Sequence, residues 1–378
     1  MDGMMKAVVL EGPGKLVYRQ LPIPKIGPRD VLFKVSYASI CGGDLPAYRD
    51  LHYLQHTPII IGHEFTGYVV EVGDQVRDIP VGMRFMGTSI EGCGVCEVCK
   101  NGGKDWECPY NAKYGLGFGR DGVFAEYSVI HHAQLGVSVH PLPDNVNDLV
   151  GSTCEPMCVG IGNVDFLIHP KPTGERIVIY GAGIIGQSFI QAFKAECEQC
   201  EIAVVDVSGF RLDLARQSGA DYIINPAGGK SAYDAVAELW GYGEFQYHAR
   251  ETKPCGNATI AVECTSNMGC VAEAMDIVTS GGKVCYAAGY GDDDKALIRP
   301  VNMMMKSVQV IPGLMGNFGK SVQYMSEGKF RTEHLITHVY PLERLEEGIH
   351  KAMDAKTSCK VCIKVDPTFP DYPYNRQD

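Results

Sequence analysis

Cys93, Cys96 and Cys99 recur with two residues between each, and Cys108 follows in the same glycine-containing stretch. Four thiolates complete a tetrahedral shell around a zinc ion and leave no position for a substrate, which marks a structural site. Such an ion staples a loop that has little core of its own. A second set is dispersed: Cys41 in Cys41-Gly42-Gly43-Asp44, the pair His63-Glu64, and Glu155. One thiolate, one imidazole and carboxylates suit a zinc that keeps a position open, the requirement for catalysis. From spacing alone, a core thiol and a hydrogen-bonded histidine are the better explanation of such scattered residues. Asp44 reads either as a partner that orients His63 or as the cap of its own turn.

The third signal is Gly181-Ala182-Gly183-Ile184-Ile185-Gly186. It follows the apolar run Arg176–Tyr180, opens a helical stretch, and precedes Asp206 at the end of the next apolar run. In that context it predicts a dinucleotide site. The first glycine permits the turn, the second lets backbone approach the pyrophosphate, and the third brings helix and strand together. The helix N-terminus then offers N–H groups and a positive dipole end to the phosphates. Asp206 can accept hydrogen bonds from both ribose hydroxyls and would repel a 2′-phosphate, so NAD is expected over NADP. Arg211 is read either as stacking near the adenine or as a surface charge.

These residues need two kinds of scaffold. Up to about residue 160 the chain reads as short strands and turns, with Val31, Phe33 and Val35 alternating with Leu32, Lys34 and Ser36 and a second strand at Gly67–Gly73. From about Gly174, strands alternate with helices at Gln187–Glu196 and Leu212–Gln217, which implies a parallel, doubly wound sheet. A helix at Leu342–Ala355 and a last strand at Val361–Val365 follow. The polar, proline-rich tail from Asp366 is expected to be a loose end. The segment between Pro226 and Thr259 reads as a surface loop or subunit contact, or as a lid over the adenine side.

The chain of 378 residues with 45% hydrophobic residues can fill two ordinary cores. Its net charge of -11 speaks against nucleic-acid binding. No apolar run is long enough to span a bilayer, and the N-terminal stretch is too short for a signal peptide, so a cytoplasmic location is expected. Fifteen cysteines, an odd number, fit reduced thiols and metal ligands better than a disulfide framework. Cys197-x2-Cys200 and Cys359-x2-Cys362 are read as ordinary thiols.

Gly62-His63-Glu64 after Cys41-Gly42-Gly43-Asp44, the cysteine cluster, Gly122–Tyr127 and the glycine motif occur in one order. Together they resemble the zinc-containing medium-chain dehydrogenase/reductase family, from about Lys6 to Val365. Glu155-Pro156 resembles its sorbitol, threonine and sugar dehydrogenase branch. The resemblance implies an α/β chain with a GroES-like β-barrel domain at 1–160 and 305–378 and a Rossmann domain at 161–304. It implies a catalytic zinc on Cys41, His63 and Glu155, with Glu64 a ligand or alternating near-ligand. A structural zinc would sit on Cys93, Cys96, Cys99 and Cys108, and NAD on Gly181, Gly183, Ile185, Gly186, Asp206 and Arg211. The implied activity is hydride transfer to NAD from a small secondary alcohol: a polyol, sugar or cyclitol. A homodimer or homotetramer, without nucleic acid or membrane partners, goes with it. A threonine-type amino-alcohol dehydrogenase shares every motif. A non-catalytic zinc- and NAD-binding relative is the other alternative, favoured by Gly43, where the family usually has the serine or threonine that begins proton relay. Cleft side chains near Tyr48, Phe118, Arg120 and Tyr290 are expected to set specificity.

Overall fold

A computed structural model describes residues 1–88, 92–93, 95–101, 107–168, 174–249, 251–313 and 316–377. The chain forms two compact units, Met1–Pro156 with Phe318–Asp378, and Met157–Asn317. The first opens with the antiparallel pair β1 (Met4–Gly12) and β2 (Lys15–Pro22). Then come β3 (Val31–Ser39), β4 (Glu64–Val72), β5 (Arg84–Gly87), β6 (Tyr127–Ile130) and β7 (Val139–Pro141). β3 runs antiparallel to both β4 and β6, and is buried along both faces rather than one. Phe33, Phe65 and Phe85 meet in its core, with ring centroids 4.7, 5.1 and 5.7 Å apart. Stacked and edge-on rings of this kind contribute beyond their buried area.

The second unit is a parallel sheet of β8 (Arg176–Tyr180), β9 (Glu201–Val205), β10 (Tyr222–Ile224), β13 (Ala258–Glu263), β14 (Val278–Tyr286) and β15 (Gln309–Pro312). Between β10 and β13 lies the hairpin β11 (Gly243–His248) and β12 (Glu251–Cys255). The spatial order β10-β9-β8-β13-β14-β15 reverses direction at β8 and β13, the doubly wound arrangement. Helices begin where the glycine motif and N-caps place them, at Ile184–Glu196 and, capped by Ser208, at Gly209–Gln217. The segment after Pro226 is not a plain surface loop. It forms the helix Ala232–Trp240 and then the hairpin, which packs against β14, and Trp240 meets Tyr222 edge-on at 6.2 Å.

The chain then returns to the first unit. β16 (Ile336–Pro341) pairs with β17 (Lys360–Lys364), and β17 pairs with β3. The expected final helix is shorter, Leu345–Ala352, because Leu342–Arg344 form a 3-10 turn. The tail is not loose. Phe369, Tyr372 and Tyr374 pack on buried Tyr37, Leu149, Ile336 and Cys362, and Tyr37 Oη donates to Pro370 O at 2.7 Å. Three aromatic side chains outweigh the polar composition that marked it as mobile. Among the described residues no helix is long and apolar enough to cross a membrane.

Phe33→Ala should destabilise the chain by about 3–5 kcal/mol, and Phe33→Leu by less than half of that. Equilibrium denaturation followed by circular dichroism checks both.

Candidate metal and cofactor sites

The four clustered cysteines do converge. Their sulfurs lie within 4.8 Å of one another, with Cys96 3.5 Å from Cys99 and 3.8 Å from Cys108, and Cys93 4.0 Å from Cys99. A Zn–S bond of about 2.3 Å puts sulfurs about 3.8 Å apart along the edges of a tetrahedron, so the set fits the ion. Backbone amides face the sulfurs: Cys96 N–H to Cys93, Cys93 N–H to Cys108, and Tyr110 N–H to Cys108. The Val95 amide, ahead of those neighbours, holds the Cys93 thiol down at about 6. Such donors favour thiolates. The other two Cys-x2-Cys pairs have no third ligand within reach among the described residues.

The dispersed set converges only in part. Cys41, His63 and Glu64 each place a ligand atom within 4.8 Å of the others. Cys41 follows β3 in a turn closed by Asp44, whose Oδ2 accepts the Cys41 N–H at 2.9 Å. His63-Glu64 open β4 after Gly62, which has φ +92°, a conformation that favours glycine. A Cβ on Gly122 would lie 2.2 Å from Gly62 O, so that strand crossing requires its bare backbone. The His63 ring lies 4.7 Å from Phe118. Glu155, in the first turn of the helix Cys154–Leu167, lies outside this tight cluster, but its charge bears on the Cys41 thiol.

His63 Nδ1 and Glu64 Oε1 are buried without a hydrogen-bond partner among the described residues. Buried polar atoms left in this state cost free energy, so each needs an explanation. A cation between thiol, imidazole and carboxylate supplies one. Burial pushes the Cys41 thiol well up, Glu64 and Asp44 add to this, and Lys360 opposes them. Asp44 proves to be chiefly the turn cap: its Oδ1 lies 3.7 Å from His63 Nδ1, too far for a hydrogen bond.

Gly181, Gly183 and Gly186 make the turn after β8. Gly181 has φ +97°, and a Cβ on Gly186 would lie 1.9 Å from Gly181 O, so only glycine lets the helix meet the strand. Gly183 is the N-cap of Ile184–Glu196 and provides no side-chain cap, which leaves the first-turn amides of Ile184, Ile185 and Gly186 for a ligand. Asp206 fixes the loop by accepting the Ala182 and Ser208 N–H groups, each at 2.7 Å. Arg211 Nη1 lies 3.6 Å from where a Gly183 Cβ would be, so this side chain faces the glycine turn. These features fit a bound dinucleotide phosphate. Tyr48 does not present a free hydroxyl: it bonds Glu346 at 2.7 Å and His350 Nε2 at 3.2 Å. Tyr290 likewise donates to Glu263 at 2.5 Å, and Arg120 lies 4.9 Å over the Tyr114 ring. Phe118 touches the cluster through the His63 ring.

Known proteins agree with this geometry. The family described as "Alcohol dehydrogenase GroES-like domain" matches residues 27–144, and "Zinc-binding dehydrogenase" matches residues 185–327. L-threonine 3-dehydrogenase of Francisella tularensis subsp. novicida is 32% identical over 276 residues, 72% of this chain and 74% of that protein. The chain belongs to the zinc-containing medium-chain dehydrogenase/reductase superfamily. Two crystal structures share its fold at 25% identity. An alcohol dehydrogenase (rspB) of E. coli CFT073 complexed with NADH has a TM-score of 0.83, covering 96% of this chain and 99% of that one. A protein of Sinorhizobium meliloti 1021 bound to NADP has a TM-score of 0.82, covering 96% and 100%. The chain is thus an oxidoreductase of the alcohol dehydrogenase type.

Within this dehydrogenase one buried neighbour of the Cys41 cluster was not among the site residues expected from the sequence. Lys360, buried in β17, forms an ion pair with Glu64 and donates to Ile40 O at 2.9 Å. Burial alone would pull its ammonium down, but Glu64 and then Cys41 hold it above the ordinary value. A lysine at an inward position of an otherwise apolar strand was the available signal. Removing one member of a buried pair strands the other. Lys360→Met should therefore cost about 3–5 kcal/mol, and Glu64→Gln in the same chain should recover much of it. A double-mutant cycle by chemical denaturation measures that coupling.

Proposed function

We propose that the enzyme oxidises a small secondary alcohol, a polyol, sugar or cyclitol, with NAD and a zinc ion held by Cys41, His63 and Glu155, Glu64 being the alternating ligand. One observation carries the reading: a thiol, an imidazole and a carboxylate share a buried space in which His63 Nδ1 and Glu64 Oε1 lack hydrogen-bond partners among the described residues. Cys93, Cys96, Cys99 and Cys108 would hold a second, structural zinc. Gly181, Gly183, Ile185, Gly186, Asp206 and Arg211 would hold the dinucleotide. The segments 1–160 and 305–378 form the catalytic domain in this reading, and 161–304 the NAD domain. When bound, zinc supplies Lewis acidity that lowers the pKa of a hydroxyl, and the nicotinamide accepts a hydride.

The chain's own residues do the rest. Lys360 neutralises Glu64 and keeps it from crowding the thiol with uncompensated charge. Asp44 fixes the Cys41 turn, and the Gly43 amide donates to Cys41 Sγ at 3.4 Å. Glycine at 43 offers no hydroxyl to receive a proton, so water or the Glu155 carboxylate takes it. Asp206 is anchored by two amides, and in this reading its carboxylate would accept the ribose hydroxyls and repel a 2′-phosphate. An amino alcohol is the second substrate reading, favoured by the match to a threonine dehydrogenase. None of the fifteen cysteines is in a disulfide, which suits a cytoplasmic enzyme. A homodimer or homotetramer acting on small molecules alone completes the proposal.

NADH formation should appear for one class in a screen of polyols, aldoses, cyclitols and amino alcohols. It should vanish on chelation and in Cys41→Ser. Activity that survives loss of that metal would sink the reading. Asp206→Ser should lower the NAD-over-NADP ratio of kcat/KM by about tenfold, equivalent to about 1.4 kcal/mol.

A further inference from the structure

The three segments that bear Cys41, Glu155 and Lys360 meet on the side of the barrel unit that the tail covers. Cys41 lies two residues after Ser39, the end of β3; Glu155 three after Ser152; Lys360 two before Cys362. Ser39 Oγ joins all three segments. It lies 3.1 Å from Ser152 O, to which it donates, and 3.4 Å from Cys362 Sγ. Ile40 N–H donates to Val361 O at 2.9 Å, so β17 and the Cys41 turn are also tied through backbone.

The tail clamps the same three segments one step further out. Tyr37 of β3 donates to Pro370 O at 2.7 Å, and its ring lies 5.9 Å from that of Tyr372. Tyr372 Oη donates to Asp148 Oδ2 at 3.2 Å, and Asp148, buried, also accepts from Ser36 Oγ at 3.2 Å and Arg84 at 2.8 Å. Asp148 opens the short helix that leads to Ser152 and Glu155. Lys364 of β17 pairs with Asp371 at 2.8 Å. Phe369 stacks on Tyr68 at 5.7 Å, which adds β4, the strand begun by Glu64. Beyond the aromatics, Asn375 Nδ2 donates to His334 O at 2.8 Å and Gln377 N–H to Thr337 O at 3.2 Å, so the strap is fastened at both ends.

We propose that residues 367–377 are a positioning strap that holds Cys41, Glu155, Glu64 and Lys360 in register for the metal. The inference rests on the zinc centre proposed above. Side chains that act on ligands through a hydrogen-bonded neighbour commonly change metal affinity by about 10- to 100-fold. Tyr372, through Asp148, and Phe369 and Tyr374, through packing, act on the segments that carry the ligands, one step further out and without touching the centre.

The test uses the full chain loaded with zinc, and compares wild type with Tyr372→Phe and with Phe369→Ala/Tyr374→Ala. Zinc content per chain and its release to a chromogenic chelator are followed, and cobalt(II) replaces zinc for absorption spectra. The strap predicts two release phases in wild type. The phase lost in Cys41→Ser should be about tenfold faster in the strap variants, with the four-thiolate phase unchanged and the cobalt band of the Cys41 centre shifted. Wild-type release and spectrum in a folded strap variant overturn the proposal. If the double variant fails to fold, Tyr372→Phe, which lacks a single oxygen, decides alone. A wild-type chain that binds only the four-thiolate metal overturns the zinc centre itself, an outcome distinct from a strap that does nothing.

Discussion

A carboxylate, a thiol and an imidazole confined together out of water repel or desolvate one another unless a positive charge joins them. Glu64 is that carboxylate, and Lys360 is the positive charge the chain itself provides. The pair explains much of the architecture around it. β17 returns from the end of the chain to lie beside β3, and from there Lys360 reaches both Glu64 and Ile40 O. The second unit is therefore inserted between two parts of the first, and the barrel is finished by residues that follow it. One lysine cannot satisfy everything: His63 Nδ1 and Glu64 Oε1 stay without hydrogen-bond partners among the described residues, and the Cys41 thiol is driven towards its neutral form. A second cation relieves all three at once, which is why the polar burial reads as a metal centre and not as a structural salt bridge.

Two contrasting kinds of site result. In the four-cysteine loop the ligands and the amides that face them lie within a few residues of each other, so local turns alone set the sulfur distances. In the Cys41 centre Cys41, the adjacent pair His63-Glu64 and Lys360 come from three separate segments, and only the pairing of β3, β4 and β17 sets the distances. The glycine turn belongs to the first kind. A single strand–turn–helix, closed by contacts such as Gly186 on Gly181 O, produces it.

That difference decides what could be read from the sequence. The cysteine cluster, the glycine motif with Asp206 and the alternation of strands and helices were legible, because a local spacing encodes each. Cys41 and His63, which the fold brings together, were legible only through the order of motifs along the chain, since nothing local joins them, and Glu155, expected beside them, lies outside their tight cluster. Lys360 was not legible as a partner of Glu64, because their association depends on strand pairing across almost the whole chain. The tail was misread for a related reason: proline and polar residues dominate locally, whereas the surface that buries Phe369, Tyr372 and Tyr374 is assembled from β3, β17 and the Asp148 helix. Of the two readings open for Asp44, the turn cap has the shorter contact, to the Cys41 amide, and Tyr48 bonds Glu346.

The same distinction bears on how the centre can be tuned. A ligand set assembled from distant segments inherits the rigidity of whatever binds those segments together, because a displacement well below 1 Å already degrades a metal site. In this chain the binding is done by hydroxyls and aromatics: Ser36, Ser39, Tyr37 and Tyr372 around Asp148 and Cys362. None of these can serve as a strong zinc ligand, so they can vary without competing for the ion. The glycine at 43 fits this division of labour. It removes a side chain that could carry a proton, yet its amide still faces the Cys41 sulfur, so the ligand keeps its support while proton transfer passes to other groups.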